Sequence, residues 1–442
     1  MLKESIYPLL ITTIMVLTIL SAPSLSAKSE TVETTLFSGN KWTKVLGGDR
    51  IEMCHTIRQT SDGGYVLAAS TCSYGAGASD IWLIKLDKYG RKVWDRTFGG
   101  VKDDYPFCVE QTSDGGYIIV GYTESFGAGY IDVWLIKTDE NGNEVWNRTF
   151  GGKNWDRGLW VEQISEGGYI IAGDTKSYGQ GGLNGWIIKT DEDGNEIWNR
   201  TFGEKSRPIM LKCIHQVEGG GYIVAGEILY RENDTLFALL IKLDKDGNEE
   251  WRKTYGCDTT AYCVQQTSDG GYIIAGDNWT HDLIIKTDEN GNVEWKRTLF
   301  DEKETWYSTA RSVQQTRDGG YIVTGWRGDI TWISLSIIVR IINPYHYFPK
   351  AWLVKLDKDG NEEWIRSFFG IGYWMWGLDV HQTADNGYIV AGRIERYSCW
   401  NESDIFVIKT DSKGRTNFLQ LKLCGIIHWF VKRTEGKGWY SV

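Results

Sequence analysis

The sequence predicts an all-β chain built from seven copies of one four-stranded antiparallel unit. Three observations predict it. The first is repetition: "QTSDGGYIIVGYT" at residues 111–123 returns as "QTSDGGYVLAAST" from Gln59, "QTSDGGYIIAGDN" from Gln266 and "QTRDGGYIVTGWR" from Gln315. The motif tyrosines are Tyr65, Tyr117, Tyr169, Tyr222, Tyr272, Tyr321 and Tyr388. They recur about every 50 residues, and such a period marks a repeat architecture. The second observation is that each copy splits into four short apolar runs separated by turn sequences. The third is composition: 13% aromatic residues, 22 Trp and 52 Gly against 6 Pro in 442 residues. Aromatic side chains suit a pleated surface, and glycine supplies the turns between strands.

The elements follow in chain order. Residues 1–27 read as an export signal or an N-terminal anchor. Lys3 precedes an apolar run from Ile6 to Leu20, and small residues follow up to Ala27. Residues 28–40 read as a linker. In the second copy the four runs are "FCVEQT", "GYIIVGYT", "DVWLIKTD" and "EVWNRTF", here strands a to d. "SDGG" joins a to b and "DENGN" joins c to d. Asp-Gly and Asn-Gly are the strongest short hairpin signals. Four antiparallel strands, repeated, form a β-propeller blade. Strand d carries Trp42, Trp94, Trp146, Trp198, Trp251, Trp295 and Trp364, which counts seven blades over residues 41–411. Trp42 stands before any strand a, and the last copy has no "W-x-R-T" after its strand c. The N-terminal strand around Trp42 is therefore expected to complete blade seven and close the ring, removing its edges. A rival for that place is "FLQLKL" in the tail, residues 412–442. Blade six carries an apolar insertion at 329–350.

These strings also carry a resemblance. "DGGYIIAG", "WLIKTDENGN" and "W-x-R-T-F-G-G" resemble an exported archaeal and bacterial propeller-repeat family, itself similar to the quinoprotein alcohol dehydrogenase-like superfamily. The likeness spans about residues 41–411. Asp139, Gly142 and Trp146 resemble the tryptophan-docking motif of quinoproteins, with one residue fewer in the turn. The resemblance implies a propeller. It also admits a quinone-dependent dehydrogenase as an alternative, although no run aligns with the cofactor ligands of those enzymes.

Several function classes recede on residue grounds. A net charge of −10 disfavours a nucleic-acid partner, which calls for clustered Lys and Arg. No Cys/His spacing suits zinc. The turns "DEDGNE" and "DKDGNE" place Gly at the fourth position between two strands, which fits an Asx-capped turn rather than a calcium loop. No metal or cofactor is expected. Cys108, Cys213 and Cys263 occupy one repeat position and read as small buried fillers. No sialidase box is present.

A residue present in every copy serves the blade; one that changes between copies is free to serve a task. The invariant glutamine six residues before each tyrosine is expected to satisfy backbone groups where blades converge. The d–a and b–c loops share the variable face, and loops on a rigid scaffold commonly carry function. Asp104, Trp155, Asp156, Trp160, Trp306, Tyr307, Trp326, Trp374, Trp376 and Trp400 are the candidate ligand-binding residues there. Flat rings with a few polar groups suit sugar or peptide. The expectation is a monomeric, secreted or extracytoplasmic, non-enzymatic binding scaffold for a glycan or cell-surface protein. Membrane contact is expected only through the N-terminal segment or the 329–350 insertion. A glycosidase using Asp104 and Asp156 as its carboxylate pair is the alternative.

Overall fold

The computed structural model describes residues 35–38, 40–300, 305–329, 349–370, 373–396 and 402–416. These residues form seven antiparallel sheets, each the four strands of one propeller blade. Blade one runs Glu52–Gln59, Tyr65–Thr71, Asp80–Leu86 and Lys92–Phe98, from the axis outward. Strands b and c are buried almost throughout, because blades cover both of their faces. Strand d alternates between half-buried and exposed positions, as an outer strand should.

The seventh sheet is closed by the N-terminal strand. Lys41–Leu46 pairs with Ser403–Thr410, with Trp42 opposite Lys409. The place offered to the tail is therefore taken, and residues 417–442 lie outside the described residues. A further strand, Thr35–Ser38, pairs on the outside of Lys41–Leu46, so the segment expected as linker adds a fifth strand to this sheet. The insertion leaves from strand b, Tyr321–Asp329, and returns in strand c, Pro349–Leu356. Its residues 330–348, like the signal segment, lie outside the described residues.

The repeated residues join blade to blade. Each strand-d tryptophan lies on the glycine of the next blade's c–d turn, and Trp42 reaches round to Gly90 of blade one. Gly142 has φ +76°, and a methyl group there would stand 2.6 Å from the Trp94 ring. Only glycine meets both demands. Each tryptophan also meets the edge of the same next blade's motif tyrosine, as Trp94 meets Tyr117 at 5.7 Å. The invariant glutamines form a closed belt. In all seven blades the side-chain Oε1 accepts the amide of the preceding blade's a–b turn at 2.7–2.9 Å, from Ser61 N to Gln111 round to Ala384 N to Gln59. The turn aspartate earns its place too: Asp62 salt-bridges the buried Lys85 at 2.8 Å, and five other blades repeat the pair with Asp or Glu. Blade four has Gly219 instead, and Lys242 turns to Glu250 at 3.2 Å. The c–d turns cap themselves as expected, Asp191 accepting the amides of Asp193 and Asn195.

Candidate functional site on the propeller axis

Every strand a contains a β-bulge at the same repeat position. The register shifts between Cys54 and Thr56 in blade one, and equivalently in the other six. A bulge sets two residues against one and bends the strand. Here it breaks the strict alternation and resets which side chains face the axis, as the burial pattern of Glu52–Gln59 shows. The bulged residues are His55, Phe107, Leu159, Lys212, Tyr262, Arg311 and Leu378. Together with flanking positions they line an axial cavity of about 250 Å³ to which all seven blades contribute.

Below this ring lies a second one, formed by Arg58, Glu110, Glu162, His215, Gln265, Gln314 and His381. It is a hydrogen-bonded floor. Arg58 Nη1 donates to Asp379 Oδ2 at 2.6 Å, and His215 Nδ1 meets Glu162 Oε2 at 2.6 Å. Glu110, Glu162, Gln265 and Gln314 each accept the backbone amide of the next blade's invariant glutamine. These changing side chains thus also join the blades.

Burial alone would raise the Asp379 carboxyl, but His381 and Arg58 hold it well below the usual range. Burial pushes the Glu110 carboxyl up to about 7, with Arg58 opposing and Glu162 adding to the rise. Burial and the neighbouring Arg311 push His55 down to about 4.

The small residues behind the bulge tie blades together. Thr56 Oγ1 accepts the amide of Val109, and the thiols of Cys108, Cys213 and Cys263 point at the carbonyls of Val161, Val264 and Val313. The cysteines are fillers with a weak bond each.

The candidate residues separate into four groups. Tyr307, Trp326, Trp374 and Trp376 come together on blades six and seven. Tyr307 stacks on Trp326 at 4.7 Å, Trp326 meets Trp376 at 6.4 Å, and Trp374 meets Trp376 at 6.0 Å. Trp376 stands two residues before the cavity-lining Leu378 on the same strand, which makes this aromatic lip a neighbour of the cavity wall along the chain. Trp160 lines the cavity itself, edge-on to His215. Trp155 is apart from both, 47% exposed on blade three, under the ammonium of Lys176.

Asp104 and Asp156 are fully buried and serve their loops. Asp104 accepts Gly100 N at 2.8 Å and Ser125 Oγ at 2.7 Å; Asp156 accepts Gly152 N, Ser177 Oγ and Thr175 Oγ1. The two belong to neighbouring blades, and neither lines the axial cavity, so they do not form a carboxylate pair facing a ligand there. The Trp306 side chain and Trp400 lie outside the described residues. Sequence reasoning missed most of the cavity, although a signal was present. The column holding His, Phe, Leu, Lys, Tyr, Arg and Leu changes almost completely between strands that all end on the same glutamine.

No protein-family model and no curated protein sequence matches the chain. Solved structures are similar at low levels. A protein of unknown function from Bacteroides caccae is 11% identical, with 72% of this chain and 94% of that chain covered and a TM-score of 0.40. Sqt1 from Chaetomium thermophilum is 9% identical, with 78% and 81% covered and a TM-score of 0.43. The acylaminoacyl peptidase of Pyrococcus horikoshii is 11% identical, with 86% and 54% covered and a TM-score of 0.45. At these levels the function of the neighbours does not transfer, and the seven-bladed architecture rests on the strand pairing of the chain itself.

Proposed function

We propose that this propeller is a binding protein that receives its ligand at the variable end of the axis, and that the ligand is the terminal part of a glycan. One observation carries the reading: the repeated side chains join blades, whereas the changing residues at the seven strand-a bulges line one cavity, with an aromatic lip on two of those blades. Half-buried tryptophan and tyrosine faces suit the apolar faces of sugar rings, and the cavity is smaller than the ~300–1,000 Å³ typical of drug-sized ligands. It suits a compact end group rather than a chain lying flat. The export-type N-terminus and the resemblance to exported propeller repeats support a place outside the cytoplasm, where glycans are met.

The test is a glycan array probed with the full chain, the Trp326→Ala/Trp376→Ala variant and Trp155→Ala. Binding should fall at least roughly tenfold in the double variant and stay unchanged in Trp155→Ala, since a lost aromatic stack and its buried area cost about 1–3 kcal/mol. Undiminished binding by a folded double variant would sink the reading. Silence on every glycan, with capture of a surface protein instead, would reassign the ligand class.

A further inference from the structure

The chemistry of the cavity can be taken further by accounting for its charges. Three cations at or just below its wall are matched. Arg157 makes a two-pronged pair with Asp174, at 3.0 and 2.7 Å. Lys212 lies 3.4 Å from Glu227, which also accepts Thr260 Oγ1 at 2.7 Å. Arg58 pairs with Asp379, whose two oxygens also accept Ile57 N and Ser312 Oγ. Asp277, nearby on strand b of blade five, accepts the Tyr307 hydroxyl at 3.2 Å and the Trp279 amide at 3.3 Å.

Arg311 is different. Its guanidinium carbon stands over the Tyr262 ring, 4.0 Å from the centroid, and the group makes no hydrogen bond or ion pair among the described residues. Stacking occupies a face and leaves the planar fork of N–H donors free at its edge, the edge that fits a carboxylate. Two residues of the same wall each carry a buried polar atom without a partner: Trp160 Nε1, which can only donate, and His55 Nε2. Buried polar atoms are ordinarily satisfied, so two unsatisfied atoms from two blades, beside a half-buried arginine without an ion-pair partner on a third, are a vacancy in the bonding scheme.

We infer that the axial cavity takes a monocarboxylate, with Arg311 as counter-ion and Trp160 Nε1 and His55 Nε2 as its further polar contacts. Among the described residues Arg311 is the wall cation without an ion-pair partner, and Asp277, held only by neutral donors, already stands nearby, so the site favours one added negative charge over two. A phosphate dianion would leave a net negative charge beside Asp174 and Asp379, and an unpaired buried charge is costly. Phe107, Leu159 and Leu378 supply the apolar surface for the body that carries the acid. This inference rests on the axial mouth being the binding site and names its ligand class. The carboxylate has two sources: the uronic acid end of a glycan, or a free small organic acid.

Calorimetric titration of the full chain separates these cases. The probes are glucuronate, glucose, benzoate and inorganic phosphate, and the proteins are wild type, Arg311→Gln and Trp160→Phe, each checked for an unchanged melting temperature. Arg311→Gln keeps a shorter polar group without the charge. Trp160→Phe keeps an aromatic ring and removes the N–H together with the pyrrole half of the indole. At least one carboxylate should bind wild type, weaken roughly 10- to 100-fold in Arg311→Gln and weaken a few-fold in Trp160→Phe, the worth of charge-assisted and neutral hydrogen bonds. Glucuronate alone would identify the glycan source; benzoate alone, the free acid.

Equal binding of glucuronate and glucose, indifferent to Arg311→Gln, would overturn the carboxylate and leave the glycan reading standing. Phosphate binding as tightly as either acid would overturn the single-charge argument. No binding of either acid by folded wild type would overturn the inference, and the array would then decide the glycan reading by itself. Should Arg311→Gln melt early, the Trp160→Phe comparison and the ratio of glucuronate to glucose on wild type still decide the matter.

Discussion

At single positions, two glycines of one blade make opposite demands. Gly142 and Gly115 both have positive φ, but Gly142 lies under the Trp94 ring, whereas nothing stands within 4 Å of a methyl group on Gly115. Gly115→Ala should cost about 1–2 kcal/mol, the left-handed penalty alone. Gly142→Ala should cost about 2–5 kcal/mol, because overpacking against the indole adds about 1–3 kcal/mol. Urea denaturation of the two variants checks this, and equal costs would show that the turn, not the docking, explains the repeated glycine.

The titratable residues of the axis give a second prediction. Glu110, raised to about 7, contributes stability that is complete below its unfolded value near 4.5 and lost as pH rises through 7. His55, lowered to about 4, acts in the other direction: its contribution is present above its unfolded value near 6.5 and lost as pH falls toward 4. The axis is therefore most stable between these limits. Melting temperatures from pH 4 to 8 should peak inside the range, and Glu110→Gln should flatten the alkaline side by on the order of 2 °C. The same alkaline slope in both proteins would remove Glu110 from the account.

At the scale of the element, the closing strand matters most. Trp42 is fully buried, docks on Gly90 and donates its indole N–H to Lys88 O at 3.1 Å, joining blade seven to blade one. Trp42→Ala should cost about 3–5 kcal/mol, as for a buried tryptophan in any core, measured by urea denaturation. Removing residues 1–46 should do more than lower stability. It bares the edge of Ser403–Thr410, whose unpaired backbone is a template for another chain. Sedimentation should then show self-association; a monomeric, equally stable truncation would mean that the tail takes over the fourth place. The strand at Lys41–Leu46 was legible because its tryptophan repeats a word found in six other places. The strand at Thr35–Ser38 was not, because "TLFS" is a single copy with no repeat to compare it against.

For the whole molecule, ring closure makes the seven blades interdependent. The glutamine belt and the tryptophan–glycine contacts each return to their starting blade. An open array of repeats unfolds by nearest-neighbour steps and can fray from its ends. A closed ring has no end blade, so unfolding followed by tryptophan fluorescence and by far-ultraviolet circular dichroism should give coincident curves. Separated curves would show that the closure is weaker than the other six contacts.

What the sequence determined by itself was the blade and the number of blades. Alternation, turn dipeptides and the spacing of tyrosine and tryptophan are local signals, and seven copies average out the ambiguity of any one of them. The turn and belt roles of the repeated Asp, Gly and Gln were legible for the same reason. Only the tertiary structure decided where the changing residues gather. The bulge at His55 and its six equivalents breaks the alternation on which inward and outward assignments depend, and ring closure sets blade seven beside blade one, so that Arg58 meets Asp379, 321 positions away. The loop aspartates looked available because Asp104 and Asp156 stand in variable, polar segments. Their burial follows from the glycine amides and serine hydroxyls that fold back onto them, and that contact exists only once neighbouring strands are side by side.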